Sequence, residues 1–371
     1  MIVGVRGFSP RLGKGLMHKS IATSTILEHE LSELRLLVER QTGVVLDCPN
    51  NALAAHIADF IEAQELDSST TLLERLRSPE QDPTTLPGLL DGLLDSTTGF
   101  FRHPGALNAL TRQVLPQLWT RKSLDTPGPI RIWSAGCATG EETYSIAMAV
   151  CDAVNPVNVS TPSNSGGSNG SAKSARNGGI AETAAGTAGQ PAAKLGSGCS
   201  IHIVGSDLLP HNIEAADRGV YPQSELEGLP PATIRNYFSK IGSPPAAVGI
   251  QAEDDSDADY ASVSQPPAVT AHLLVKPRLR SLVTFNCMNL ARPGYIGRFD
   301  CIFCMDVLPH FSRVQRLAVL ERLHLYLEPG GYLFLSQTEK LAASNLNFRS
   351  ETFDGYTFHR KPMAASAAYG R

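Results

Sequence analysis

Residues 130–148 read IRIWSAGCATGEETYSIAM, and the order of features within them decides the fold. The apolar run 130–135 stops at a loop of small residues, Gly136-Cys137-Ala138-Thr139-Gly140. Glu141 and Glu142 then open a helical pattern with Ile146, Ala147 and Val150 on one face. A strand, a glycine-bearing turn and a helix in that order form the ligand corner of a doubly wound α/β sheet. Ligands lie there beyond the carboxyl ends of the strands, and glycine lets the backbone approach them. Two acids at the helix start would repel a phosphate, so a cationic or neutral nucleoside suits the corner better. A nicotinamide dehydrogenase would need GxGxxG at this point, where the chain has GCATG.

Upstream of this corner, residues 25–77 carry helical periodicity. Thr25 and Glu28 are spaced as a capping box, Leu27, Leu31, Leu34 and Val38 form one stripe, and Gly43 can close the helix. A second helix is expected through Leu53, Ile57 and Phe60, and a third through Leu72, Leu73 and Leu76. Downstream, 201–205 reads as a strand ending at Ser206-Asp207, followed by a helix near 212–218. Further strands are expected at 282–285, running out near Asn289-Leu290, and at 299–305, ending at Asp306-Val307. A helix over 313–327 precedes Pro329-Gly330-Gly331, which turns into a strand at 332–336. Asp354-Gly355, between Phe353 and Tyr356, is a hairpin signal. The expected fold is α/β: a mostly parallel sheet with an antiparallel strand, behind a small all-helical N-terminal domain.

The expected division is a disordered basic tail at 1–24, a helical domain at 25–95, a sheet domain at 96–361 and a tail at 362–371. Two polar, low-complexity insertions are expected inside the sheet domain, at 155–200 and about 242–272, too poor in large apolar residues to offset their ordering entropy. The acidic run 253–259 imitates a calcium loop, but Tyr260 and Pro266 stand where such a loop needs Gly and Glu; it reads as a solvated charge run.

A formal net charge of −4 over 371 residues gives no electrostatic case for nucleic acid or an anionic membrane. No apolar run approaches the roughly 20 residues of a membrane helix, and the basic N-terminus lacks the apolar core of a signal peptide. Seven scattered cysteines do not make a disulfide framework and fit a reducing cytoplasm. Strand alternation puts Cys301 and Cys304 on opposite faces, so this CxxC is expected to be two buried free thiols and no metal site.

Six segments occur together: TTGFFRHP (97–104), WSAGCATGEETYSIAM (133–148), VGSDLLPHNIEAADRGVYPQSEL (204–226), FNCMNL (285–290), FDCIFCMDVLPHF (299–311) and LEPGGYLFLSQTE (327–339). In this order they resemble the CheR-type chemotaxis receptor methyltransferases, which use S-adenosylmethionine to esterify receptor glutamates. The likeness runs from about Thr25 to Lys361, insertions excepted. It implies a Rossmann-like methyltransferase sheet with a small β-subdomain, S-adenosylmethionine as cofactor and S-adenosylhomocysteine as product. It implies as partner the cytoplasmic helices of a chemoreceptor or receptor-like protein, for a monomeric, cytoplasmic enzyme that inserts in no membrane.

The resemblance also implies roles. Asp207, an acid ending the second strand, would accept hydrogen bonds from the cofactor ribose. Gly136 and Gly140 would let the cofactor lie against the backbone. One of Glu141 and Glu142 would attract its sulfonium or ammonium end, with the choice between them open. Ser96, Thr98 and Arg102 match the family's polar segment that reaches the cofactor, with Ser96 replacing an Asn. Asn289, Leu290, Asp306 and Val307 match positions around the adenine, while Phe100 and Phe101 are expected to pack beneath the site.

A glutamate side chain, with an ordinary pKa of about 4.3, is already the anionic nucleophile at neutral pH, so no general base is required. In-line alignment remains the task, and the planar fork of Arg102 suits it. Two departures stand out. Met305-Asp306-Val307-Leu308-Pro309-His310-Phe311 puts Asp306 where the family has Asn, and His310 where it has a tyrosine hydroxyl near the methyl. The helix NNALAAHIADFIEA, ending at residue 63, lacks the arginines common in the family. Arg102 and His310 are thus the candidate catalytic residues. The alternative function is a CheR-like sensor or scaffold that binds S-adenosylmethionine without turnover.

Overall fold

The computed structural model describes residues 26–78, 82–94, 96–124, 128–154, 200–241, 271–294, 297–339, 341 and 346–363. The expected basic tail and almost all of both expected insertions lie outside them, as does Thr25.

In chain order the elements are α1 (Glu28–Thr42), α2 (Asn50–Ala63), α3 (Ser69–Arg77), α4 (Thr85–Leu90), α5 (Pro104–Ala109), α6 (Leu115–Leu124), β1 (Ile130–Ala135), α7 (Glu141–Val154), β2 (Ile201–Asp207), α8 (Pro210–Arg218), β3 (Val220–Pro222), α9 (Pro231–Tyr237), β4 (Phe238–Lys240), β5 (His272–Val275), α10 (Pro277–Arg280), β6 (Val283–Cys287), β7 (Phe299–Cys304), α11 (Arg313–Tyr326), β8 (Leu327–Leu335), β9 (Arg349–Phe353) and β10 (Tyr356–Arg360). A π-helical turn, Leu110–Val114, joins α5 to α6.

Seven strands form one sheet in the order β6-β2-β1-β7-β8-β10-β9, and β3-β5-β4 form a small antiparallel sheet beside it. The first five strands of the large sheet are parallel, with Trp133 opposite Val204 and Ile302. The chain winds outward from β1 through β2 to β6, then restarts at β7 on the other side of β1. That reversal opens a crevice at the carboxyl ends of β1 and β7, where open α/β sheets bind ligands. β10 closes the sheet antiparallel to β8. Asp354 and Gly355 take positive φ of 48° and 78°, the two-residue turn expected of Asp-Gly.

Both faces of the central strands are covered, as a parallel sheet requires. Cys301 packs with Ile132, Ile146 and Phe334 on one face, and Cys304 with Trp133, Ile302 and Leu320 on the other. Burial pushes both thiols up, which fits inert core side chains.

The helices α1–α3 bury Leu31, Leu34, Val38, Leu53, Ile57, Leu72 and Leu76, each side chain contributing about 1.5–3 kcal/mol over exposure. Leu209, from the loop after β2, completes the same cluster, so these helices pack directly over the strand ends. Gly43 closes α1 with φ 78° and its N–H on the Glu39 carbonyl; a bridge between Val44 and Phe311 then staples the chain to the loop after β7.

Two local expectations are corrected. Helix α1 starts at Glu28 behind Leu27, whose N–H donates to Glu30 Oε2 at 2.9 Å, and Leu27 is exposed instead of joining the buried stripe. The carboxylate that can reach back to that N–H sits at Glu30, two residues beyond the expected acid. Pro329-Gly330-Gly331 is no turn but the bulge of β8: the register with β7 slips between Phe299 and Cys301, and Gly330 absorbs the distortion at φ 75°.

Candidate cofactor and acceptor site

The crevice forms a cavity of about 190 Å³ at the carboxyl ends of the strands, roofed by residues that follow α1 and α4. Its floor is the loop after β1. Gly136 has φ 86°, and a Cβ there would collide with Cγ2 of Val307. Gly140, at φ 100°, is hemmed by Ala216 Cβ and the Tyr221 hydroxyl, at 2.8 and 3.0 Å from where its Cβ would stand. Both glycines are therefore required by close packing as well as by backbone conformation.

Asp207 is the last residue of β2, and its carboxylate is held by backbone. Oδ2 accepts the Ala138 N–H at 3.0 Å, and Oδ1 accepts the Leu209 N–H at 2.9 Å and Asn212 Nδ2 at 3.0 Å. These bonds fix two acceptor oxygens at the cavity wall.

The acidic pair divides. Glu142 lines the cavity, with Oε1 accepting the Ser134 hydroxyl at 2.7 Å; burial, helped by the negative Asp306 and Glu339, pushes its carboxyl up to about 7. Glu141 does not line it: its carboxylate accepts the Thr139 hydroxyl on the far side of the loop, and burial pushes it likewise up to about 7. The reason is helical geometry, since consecutive residues point about 100° apart. Of the two acids, Glu142 is therefore the one whose side chain reaches the cavity.

The segment before α5 supplies the opposite wall, where Ser96, Thr98, Arg102 and Phe101 reach the cavity. Phe101 has φ 53°, and its N–H donates to the Ser145 hydroxyl at 2.9 Å. Phe100 packs away from the cavity, edge-on to Tyr221 and Phe238. Both rings pack against the core as expected, and Phe101 also lines the cavity.

Asn289, Leu290, Val307 and His310 also line the cavity. Asn289 ties its far wall to α1, with Nδ2 donating to the Gln41 carbonyl at 3.1 Å and Oδ1 accepting the Ala291 N–H at 2.8 Å. The carboxylate of Asp306 turns toward Arg102 Nη2 at 3.3 Å and His103 Nε2 at 3.1 Å. The His103 bond holds that carboxyl below its ordinary value.

Two residues that the sequence did not single out belong to this constellation. His103 was hidden in TTGFFRHP behind the more prominent arginine. Glu339, at the end of LEPGGYLFLSQTE, braces the loop after β7. Its carboxylate accepts the N–H groups of Asp306 at 3.2 Å, Leu308 at 2.9 Å and Ser336 at 2.9 Å. An acid placed just past an apolar strand was the available signal.

Three carboxylates, Asp207, Glu142 and Asp306, face this cavity against one arginine. That donor set fits a ligand carrying ribose hydroxyls and positive charge, as S-adenosylmethionine does, and opposes a polyphosphate.

The comparisons agree with this chemistry. Residues 96–161 and 252–356 match the family described as CheR methyltransferase, SAM binding domain. The chain is 26% identical over 310 residues to chemotaxis protein methyltransferase 1 of Pseudomonas aeruginosa, covering 83% of this chain and 88% of that one. It is 25% identical over 316 residues to chemotaxis protein methyltransferase Cher2 of Pseudomonas putida, covering 84% and 90%. It is also 25% identical over 320 residues to a chemotaxis protein methyltransferase of Vibrio parahaemolyticus, covering 85% and 91%.

Proposed function

We propose, on the match of residues 96–161 and 252–356 to the S-adenosylmethionine-binding domain of the CheR methyltransferases, a protein-glutamate O-methyltransferase acting on a chemoreceptor or receptor-like sensory protein. The observation that carries this reading is the juxtaposition of a cation-favouring pocket with a single arginine at its rim. When bound, the cofactor supplies an electrophilic methyl on a sulfonium.

The chain's own residues bind, orient and exclude water. Asp207 accepts the ribose hydroxyls with oxygens that backbone N–H groups already fix. Gly136 leaves the floor open, Gly140 lets the loop pack against Ala216 and Tyr221 behind it, and Glu142 offers negative charge to the cationic end. Ser96 and Thr98 supply short hydroxyls from the opposite wall, while Asn289, Leu290 and Val307 flank the adenine. Arg102 takes one carboxylate oxygen of the acceptor glutamate, and His310 donates a hydrogen bond beside the methyl. Because a glutamate is already ionised at neutral pH, no side chain needs to remove a proton. Neutralising a sulfonium with a carboxylate is helped by the apolar part of the lining, Leu94, Val44, Phe101 and Phe311.

The name chemotaxis protein methyltransferase, shared by the three relatives, supports a sensory pathway. Purified protein incubated with methyl-labelled S-adenosylmethionine and chemoreceptor-bearing membranes should leave base-labile label on the receptor. The absence of label, with a control enzyme active, would sink this reading.

The Arg102–Asp306 pair favours a second reading, a binding module without turnover, because an internal carboxylate already occupies the guanidinium. Calorimetric cofactor binding with no transfer to any receptor would select that version.

A further inference from the structure

We propose that Asp306 is a positioning residue: together with His103 it clamps the Arg102 guanidinium at the cavity rim, and Arg102 orients the acceptor only while that clamp holds. The inference rests on the methyl-transfer reading above.

The backbone at Asp306 is built to aim its carboxylate. Its φ is 59°, in the left-handed region that Asp and Asn tolerate better than most side chains. Glu339 pins the turn from below by accepting the N–H groups of Asp306 and Leu308. The Asp306 side chain is thereby directed at residues 102 and 103, with Oδ2 at 3.3 Å from Arg102 Nη2 and 3.1 Å from His103 Nε2.

The other arm of the guanidinium, Nη1, donates to the Thr97 carbonyl. A planar fork held on both arms keeps its plane, and the remaining N–H groups keep one direction. The Arg102 side chain is 45% exposed, so without the clamp it would sample solvent-facing rotamers. At such exposure an ion pair adds little stability, which leaves orientation as its main effect. The ionisable groups facing Asp306 are Arg102 and His103, which attract it, and Glu142 and Glu339, whose negative charge opposes it.

Asp306→Asn tests the clamp, because Asn accepts the same backbone conformation while the charge is removed. It should fold with the wild-type melting temperature and, having lost one of the three cavity carboxylates, lose S-adenosylmethionine affinity at pH 8 by only a few-fold, less than it loses in turnover. Turnover on receptor membranes should fall about 10- to 100-fold, the size of effect expected from misplacing an orienting group. In the Arg102→Lys, Asp306→Asn double variant, turnover should be no lower than in Arg102→Lys alone, since Asp306 acts through Arg102. The acid limb of cofactor binding should move to lower pH, because Glu142 loses a repelling neighbour.

Independently of any receptor, the nitrogen-15 relaxation of Arg102 Nε should report an immobile guanidinium in the wild type and a mobile one in Asp306→Asn and in His103→Gln. Equal mobility in all three proteins overturns the clamp, as does wild-type turnover in Asp306→Asn, or losses that multiply in the double variant. If wild-type protein labels no receptor, the methyl-transfer reading fails instead, and the relaxation measurement still judges the clamp.

Discussion

Val307 lies across Gly136 on the cavity floor so closely that a Cβ on the glycine would overlap its Cγ2 methyl. Gly136 also has φ 86°, a conformation that costs an L-residue roughly 1–2 kcal/mol. Gly136→Ala should therefore pay twice, losing stability to urea by about 2 kcal/mol or more and losing S-adenosylmethionine binding in calorimetry. Gly355 provides the contrast. Its φ is 78°, but nothing lies within 4 Å of its missing Cβ, so Gly355→Ala should show the backbone cost alone and bind cofactor normally. Equal losses in the two variants would mean that the contact with Val307 has no consequence.

Asp207 accepts two backbone N–H groups and the Asn212 amide. Asp207→Ala leaves those donors without their acceptor, a loss of about 1–3 kcal/mol in stability, and removes the proposed ribose contact. Cofactor affinity should fall at least tenfold, and S-adenosylhomocysteine should suffer as much as S-adenosylmethionine because both carry the same ribose. A loss confined to S-adenosylmethionine would point to a charge effect instead.

These two positions show what the sequence could disclose. Gly136 and Asp207 were legible because a strand end, a glycine and an acid recur in fixed order, and chain direction alone then places them at one edge of the sheet. The glycine at the end of α1 and the Asp354-Gly355 turn were legible for the same local reason. What local pattern could not reveal was direction across the cavity. Glu141 and Glu142 are neighbours in sequence and equally acidic, and only the rotation of α7 separates them. Asp306 was matched to the adenine side by its place in a motif, but its positive φ and the Glu339 brace turn the carboxylate toward Arg102 and His103, more than 200 residues upstream in the chain. The bulge in β8 was missed because Pro-Gly-Gly signals a turn, whereas hydrogen bonds of Gly330 and Gly331 with the Lys361 backbone hold the segment at the sheet where its register with β7 slips.

Asp300 supplies a control far from the chemistry. It is 1% exposed at the amino-terminal end of the sheet, where it meets Arg121 at 3.2 Å, Lys122 at 3.1 Å and the Arg131 N–H at 3.0 Å. Asp300→Ala strands two cations and a backbone donor in a largely buried position, which should cost about 3–5 kcal/mol in chemical denaturation. The folded fraction should still bind S-adenosylmethionine with wild-type affinity. A stability change under about 1 kcal/mol would show the cluster to be solvated in solution.

Glu142 makes the strongest pH prediction, because burial raises its carboxyl from 4.5 to about 7 in the protein without cofactor. A raised folded pKa means that the native state holds this proton more tightly than the unfolded chain does. Its contribution to stability therefore falls as pH climbs from about 4.5 to about 7. Glu142→Gln removes that penalty, so its melting temperature should exceed that of the wild type at pH 8 and match it near pH 4.5. Glu141, also raised to about 7, persists in both proteins and leaves a residual slope. Cofactor binding should run the other way. A bound sulfonium and ammonium favour the ionised carboxylate, so wild-type affinity should weaken as pH falls below 7, approaching tenfold per unit until the pKa of the complex is reached. The Gln variant should bind about 10- to 100-fold more weakly at pH 8 and lose that pH dependence, the loss of one charge-assisted contact. Titrations across pH 6–8 with S-adenosylmethionine and S-adenosylhomocysteine would separate the terms, since only the former carries the sulfonium. An unchanged pH slope in Glu142→Gln would assign the proton to another group and remove Glu142 from the cofactor's cationic end.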